Sequence, residues 1–187
     1  RSISVTSTAS PHSRRYLGIT NFQTWLRKNY PNIYLKIQDN NVYDYIYIDV
    51  NFVLHNSVYD CKTDDEFKRK LYVQLDIIFS NFIATKKVFF DMDGPSSYAK
   101  IMLQRKRRTA GAQSIVPGKV TSLYITPGTE SMTRIEGYLD SYMQTIKQKY
   151  KYTTPEFVIS KSAEFDEGEI KICRQVIENG LLDINCK

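Results

Sequence analysis

No window of this chain approaches 18 uninterrupted apolar residues, which argues against a membrane-spanning helix. Cysteine is sparse and unpaired. Cys61, Cys173 and Cys186 lie far apart, with no CxxC and no Cys/His pair at zinc spacing. Neither a disulfide framework nor a structural zinc site is indicated. Three thiols fit a reducing, intracellular setting, cytoplasmic first and nuclear or organellar next. Acid is missing from residues 1–15, RSISVTSTASPHSRR, which carry Arg1, Arg14 and Arg15 among Ser and Thr. Such a segment cannot bury enough apolar surface to order itself. Residues 1–16 are therefore expected to be a flexible arm, with His12 a solvated loop residue. Internal repeats are also lacking.

What remains is a chain able to fold. Its 187 residues suffice for one domain with a core, and 42% are hydrophobic. Fourteen Tyr and nine Phe suit strands and packed helices, and can also stack on bases. The net charge is +6 and the isoelectric point about 9.1, which favours a polyanionic partner.

Order is expected from about Gly18. Asn21 can cap a short helix bearing Phe22, Trp25, Leu26 and Tyr30, stopped by Pro31. YDYIYIDV (43–50) reads as a buried strand. Residues 64–83 read as an amphipathic helix with Phe67, Leu71, Leu75, Ile78 and Phe82 on one stripe. KKVFFDMD (86–93) reads as a second strand, broken by Gly94-Pro95. Residues 97–109 read as a helix and GAQSIVPGK as a loop. A helix is expected from Thr126-Pro127 to about Tyr150, a third strand over 156–160, and a last helix over 167–178 closed by Asn179-Gly180. Strands alternating with helices predict an α/β domain with a mostly parallel sheet.

In such sheets ligands bind beyond the carboxyl ends of the strands. Asp49, Asp91 with Asp93, and Glu167 with Glu169 fall at or after the three strand ends. Hard divalent cations take oxygen ligands, and carboxylates from separate strands could hold one or two of them. A capped helix or a closed turn is the commoner use of each acid taken singly. The stretch FFDMDGPSSYAKIMLQRKRR then joins a strand-end acid to a dense cationic block. At 100° per residue Lys100, Gln104, Arg107 and Arg108 share one helix face, while Ala99, Met102 and Leu103 fall on another face suited to packing. Arg presents a fork that matches phosphate oxygens, and Lys adds a point charge. Acids for metal and cations for phosphate, side by side, suit one anionic polymer.

These residues resemble the XRN family of 5′→3′ exoribonucleases. DMDGPSSYAKIMLQRKRR is similar to the family segment in which Asp-Gly is followed by Ala-Lys, Gln-Arg and a paired Arg. ITPGTESMTRIEGYL (125–139), YIYIDVNFVLHNS (45–57), DEGEIKI (166–172) and LGITNFQTWLRKNYP resemble four further family elements, and the five occur in family order. The resemblance implies a PIN-like α/β nuclease core, and Mg²⁺-dependent removal of mononucleotides from RNA bearing a 5′ monophosphate, with Mn²⁺ the second choice of ion. It implies metal ligation and catalysis by Asp49, Asp93, Glu167 and Glu169. It implies recognition of the terminal phosphate by Lys100, Gln104, Arg107 and Arg108, and stacking of His55 on the first base. Asn51 falls in the matching strand-end motif and is assigned to the substrate side. Asp91 matches no metal position.

There are departures. Phe165-Asp166 stands where the family has Pro-Gly, and Ile170 where it has His. No match to the family's later Asp-x-Asp strand occurs in these residues. Residues 17–187 are therefore expected to be the N-terminal part of the nuclease domain, completed by a second segment or chain. The alternative is an inactive XRN-like domain that binds RNA or serves as a scaffold in a larger assembly. A DNA-directed 5′ nuclease on the same core is a third reading.

Overall fold

The computed structural model describes residues 22–34, 41–112, 120–150 and 155–180. The expected N-terminal arm, Asn21 and Cys186 lie outside the described residues, as do residues 113–119 of the expected loop GAQSIVPGK, whose first two residues, Gly111 and Ala112, are helical instead. The chain divides into two compact units, 1–39 and 40–187. In the first, helix α1 (Phe22–Asn29) is followed by one 3-10 turn over Pro31–Ile33. Proline cannot donate to the helix ladder, so the α-helical pattern ends before it, as expected. Trp25 meets Tyr30 edge to face, and Arg27 lies over the Tyr34 ring.

The second unit is built on three parallel strands: β1 (Asn41–Asp49), β2 (Phe82–Asp91) and β3 (Glu156–Ser160), in the order β1-β2-β3. This is the predicted α/β class. Its helices are α2 (Val50–Ser57), α3 (Asp64–Asn81), α4 (Tyr98–Ala112), α5 (Glu130–Lys149) and α6 (Gly168–Glu178). Side chains alternate across a strand, and the two sheet faces are covered differently. Ile48, Val88 and Phe90 lie in the core with Phe67, Leu71 and Leu75 of α3 and Met132, Ile135 and Leu139 of α5. Tyr47 and Phe89 stack on the other face, where Asn179, just after α6, donates to the Tyr47 hydroxyl at 3.1 Å. Two tyrosine hydroxyls tie α3 to α5: Tyr72 donates to the Tyr138 carbonyl at 2.9 Å, and Tyr142 to Asp76 at 2.9 Å.

The register sets the site. Asp49 pairs with Asp91, and Asp91 with Ser160, so all three strands end level. Several expectations are corrected. Phe82 does not close the apolar stripe of α3, which stops at Asn81; it opens β2, ahead of the expected start at Lys86. β1 stops at Asp49, because the Asp49 carboxylate accepts from the Phe52 N–H at 3.2 Å and caps a helix, α2, that the β-forming residues concealed. β2 ends at Asp91, leaving Asp93 two residues beyond it. α5 starts at Glu130 rather than Pro127; Gly128 turns at φ +80° and Thr129 is the cap, accepting from Met132. Met102 does not pack but is 47% exposed. Lys100 points at α6, and Met102 is two steps of 100° further round the helix.

Candidate functional site

The level strand ends present Asp49 directly and Asp93 from the segment after β2. Both carboxylates converge on the first turn of α6. Asp93 Oδ1 accepts from the Gly168 N–H at 2.8 Å. A methyl group built on Gly168 would lie 3.4 Å from Asp93 Oδ1 and 3.5 Å from Asp49 Oδ1, so a side chain there would intrude between them. The helix N-terminus offers unpaired N–H groups, which favours negative charge at this spot. Burial, with the charges of Glu169 and Asp93, nonetheless pushes the Asp49 pKa up to about 6. Crowded carboxylates of this kind gain from a cation.

Asp93 is held from several sides. Its N–H donates to Asn51 Oδ1 at 3.3 Å, and the Gly94 N–H donates to the Asp166 carbonyl at 2.9 Å. Asn51, assigned to the substrate side from its motif, is thus buried and engaged with the Asp93 backbone. Asn51 lies in the first turn of α2, which turns it back toward the strand end; this role could not be read without that helix.

Glu167, the residue before α6, forms an ion pair with Lys100 of α4. Glu169 in the first turn is exposed. Among the described residues no three His, Cys, Asp or Glu side chains gather closely enough to hold a metal ion. The four predicted acids thus reach one end of the sheet without closing around one point, with Glu167 drawn to Lys100. On α4, Gln104 and Arg108 are half-buried, and Arg108 donates to Gln104 at 3.4 Å. The Arg107 side chain lies outside the described residues, although its backbone belongs to α4. His55, on α2, is exposed, yet the surrounding protein pushes its pKa down while the Asp93 charge pulls it up.

Two buried groups escaped the sequence reading. Asp91 is fully buried, accepts from Gln175 Nε2 at 2.8 Å, and has its pKa pushed up to about 6 chiefly by burial. Lys171 is 4% exposed and donates to the carbonyls of Met92 and Lys161. Neither residue shows its burial by type, since charged side chains are rarely buried; the apolar flanks, Phe90 and Met92 about Asp91 and Ile170 and Ile172 about Lys171, were the available signal.

A parallel sheet with acids gathered at its carboxyl edge, and a basic helix joined to one of them, defines a PIN-like nuclease core. The chain belongs to the XRN family: the model of the XRN 5′-3′ exonuclease N-terminus matches residues 17–118 and 114–181. Three relatives share the name 5′-3′ exoribonuclease 1. The Homo sapiens protein is 26% identical over 152 residues, 68% of this chain and 9% of its own length. The Saccharomyces cerevisiae protein is 28% identical over 182 residues, 83% of this chain and 12% of its own length. The Schizosaccharomyces pombe protein is 24% identical over 186 residues, 86% of this chain and 14% of its own length. The chain therefore spans about a tenth of the length of these relatives.

Proposed function

We propose that the chain forms the metal-binding and phosphate-binding part of a 5′→3′ exoribonuclease that releases mononucleotides from RNA bearing a 5′ monophosphate. The names of its relatives support the reaction class. The observation that carries the reading is the meeting of Asp49 and Asp93 at Gly168, with Lys100 of the basic helix paired to the neighbouring Glu167.

The donor chemistry fits a hard divalent cation, Mg²⁺ first and Mn²⁺ second: the site offers carboxylate oxygens, and burial, with the charges of Glu169 and Asp93, raises the pKa of Asp49. Asp49, Asp93, Glu167 and Glu169 would hold it. A bound cation supplies the positive charge that eases deprotonation of the attacking water and offsets charge on the leaving oxygen. Lys100, Gln104, Arg107 and Arg108 grip the terminal phosphate, which fixes the scissile bond one nucleotide away and makes removal stepwise. His55, exposed beside Asp93, stacks on the first base. Asn51 keeps the Asp93 backbone in place.

The test is incubation with 5′-monophosphate and 5′-hydroxyl RNA, with and without Mg²⁺. Metal-dependent release of mononucleotides from the phosphorylated RNA alone is expected, and Asp93→Asn should abolish it. Equal, metal-independent handling of both ends would overturn the proposal. The scatter of the four acids favours a second reading, in which this chain by itself binds 5′-phosphorylated RNA without cleaving it. Tight, end-specific binding with no product would select that reading.

A further inference from the structure

Asp93 lies on irregular backbone two residues past the end of β2, where no ladder holds it. Its position depends on a few bonds to neighbouring segments. The Met92 N–H donates to the Ser160 carbonyl at 3.0 Å, at the end of β3. The Met92 carbonyl in turn accepts from Lys171 Nζ at 2.8 Å, and the same ammonium donates to the Lys161 carbonyl at 3.0 Å. One cation therefore ties the residue before Asp93 to the residue after β3, while Gly168, in the same turn of α6, holds the Asp93 carboxylate.

The placement of Lys171 is costly. An ammonium in the interior loses its hydration, and a cation near a helix N-terminus opposes the helix dipole. A methionine would fill similar space without either cost. Compensation comes from the two carbonyls and from the field of Glu164, Asp91, Asp93 and Asp166. The ammonium holds two strand-end segments in register, and its charge faces Asp93, one of the acids that would bind a metal.

We propose that Lys171 is a positioning residue for the candidate metal site, clamping the Met92–Asp93 backbone to the β3 end so that Asp93 stays aligned with Asp49. The metal consequence of this clamp rests on the nuclease reading above; the clamp itself does not. In Lys171→Met, the amides of Met92, Asp93, Gly94 and Gly168 should exchange hydrogen at least about tenfold faster, while core amides of Leu71 and Leu139 stay protected. Mn²⁺ affinity, followed by the electron-spin resonance of the free ion, should fall roughly 10- to 100-fold. Lys171→Gln, which retains an N–H donor able to reach one carbonyl, should show smaller changes of both kinds.

Unchanged exchange at the four amides would overturn the proposal, as would a uniform rise that includes Leu71 and Leu139. Local exchange with unaltered Mn²⁺ affinity would also overturn it, by separating the clamp from the site. Failure of both variants to fold would count against it, by giving Lys171 a global role. If the unaltered chain binds no Mn²⁺, the metal reading fails on its own, and the exchange data still decide whether Lys171 clamps Asp93.

Discussion

A methyl group on Gly94 would sit 1.6 Å from the Glu164 carbonyl oxygen, closer than any nonbonded contact permits. The obstacle is backbone, on the loop that the Gly94 N–H itself engages through Asp166. Gly94→Ala must therefore push the Asp93 segment away from the Glu164–Asp166 backbone, at a cost of several kcal/mol, which places it among the severe substitutions. Gly168→Ala meets atoms at 3.1 to 3.5 Å, two of them the Asp93 and Asp49 carboxylates, and Ala suits a helix start better than Gly does. Its thermal midpoint should stay within about 2–4 °C of the parent, the shift expected for some 1 kcal/mol in a chain of this size, while Mn²⁺ affinity falls. Calorimetry and metal titration of the two variants check this contrast. Asp91 offers a different residue-scale test. Its Oδ2 and the Gln175 Oε1 are both buried without a hydrogen-bond partner. Asp91→Asn supplies an N–H for Gln175 Oε1 and keeps an oxygen for Gln175 Nε2, so it should preserve or raise the melting temperature. Asp91→Ala leaves Gln175 unpaired beside a cavity and should cost about 2–3 kcal/mol. A large loss in Asp91→Asn would refute the pairing argument.

At the scale of elements, α5 carries a clear cap. Thr129 accepts from the Met132 N–H at 3.4 Å, and its hydroxyl donates to the Thr126 carbonyl at 2.7 Å. Thr129→Ala should cost about 1 kcal/mol, read as a small fall in the denaturation midpoint with an unchanged slope. The same helix shows what sequence could and could not disclose. Its end near residue 150 was legible, but its start was not, because Pro127 suits both a first turn and the tight turn that Gly128 completes. β3 was legible to the residue, being a short apolar run between polar segments. α2 was hidden: Val50-Asn51-Phe52-Val53-Leu54 continues a run of β-formers, and the break is made by the Asp49 carboxylate rather than by Gly or Pro. The strand-end acids and the basic helix were visible in sequence. The pairing of Lys100 with Glu167 and the burial of Lys171 were not, since each depends on contacts between residues 67 to 79 positions apart.

For the whole molecule, the net charge of +6 attracts any RNA and cannot by itself distinguish a 5′ phosphate from a 5′ hydroxyl. The discrimination proposed above would need a local contact, and the Lys100–Glu167 pair is a candidate with a consequence. On the proposed function, a terminal phosphate would draw on Lys100 and a divalent ion on Glu167. Each ligand must break the same pair, so whichever binds first spares the second that cost. Linkage makes the effect mutual: RNA tightens metal binding by the factor with which metal tightens RNA binding. With RNA whose linkages resist cleavage, a 5′ phosphate should raise Mn²⁺ affinity by roughly fivefold or more, the lower end of ordinary coupling between sites. A 5′ hydroxyl should raise it much less. Lys100→Met should remove the difference between the two RNAs and reduce the salt slope of binding by about 0.7, the value for one lost phosphate contact on a single strand. Equal enhancement by both RNAs, or a 5′-phosphate preference that survives in Lys100→Met, would assign the coupling to overall charge and leave the ion pair without a part in it.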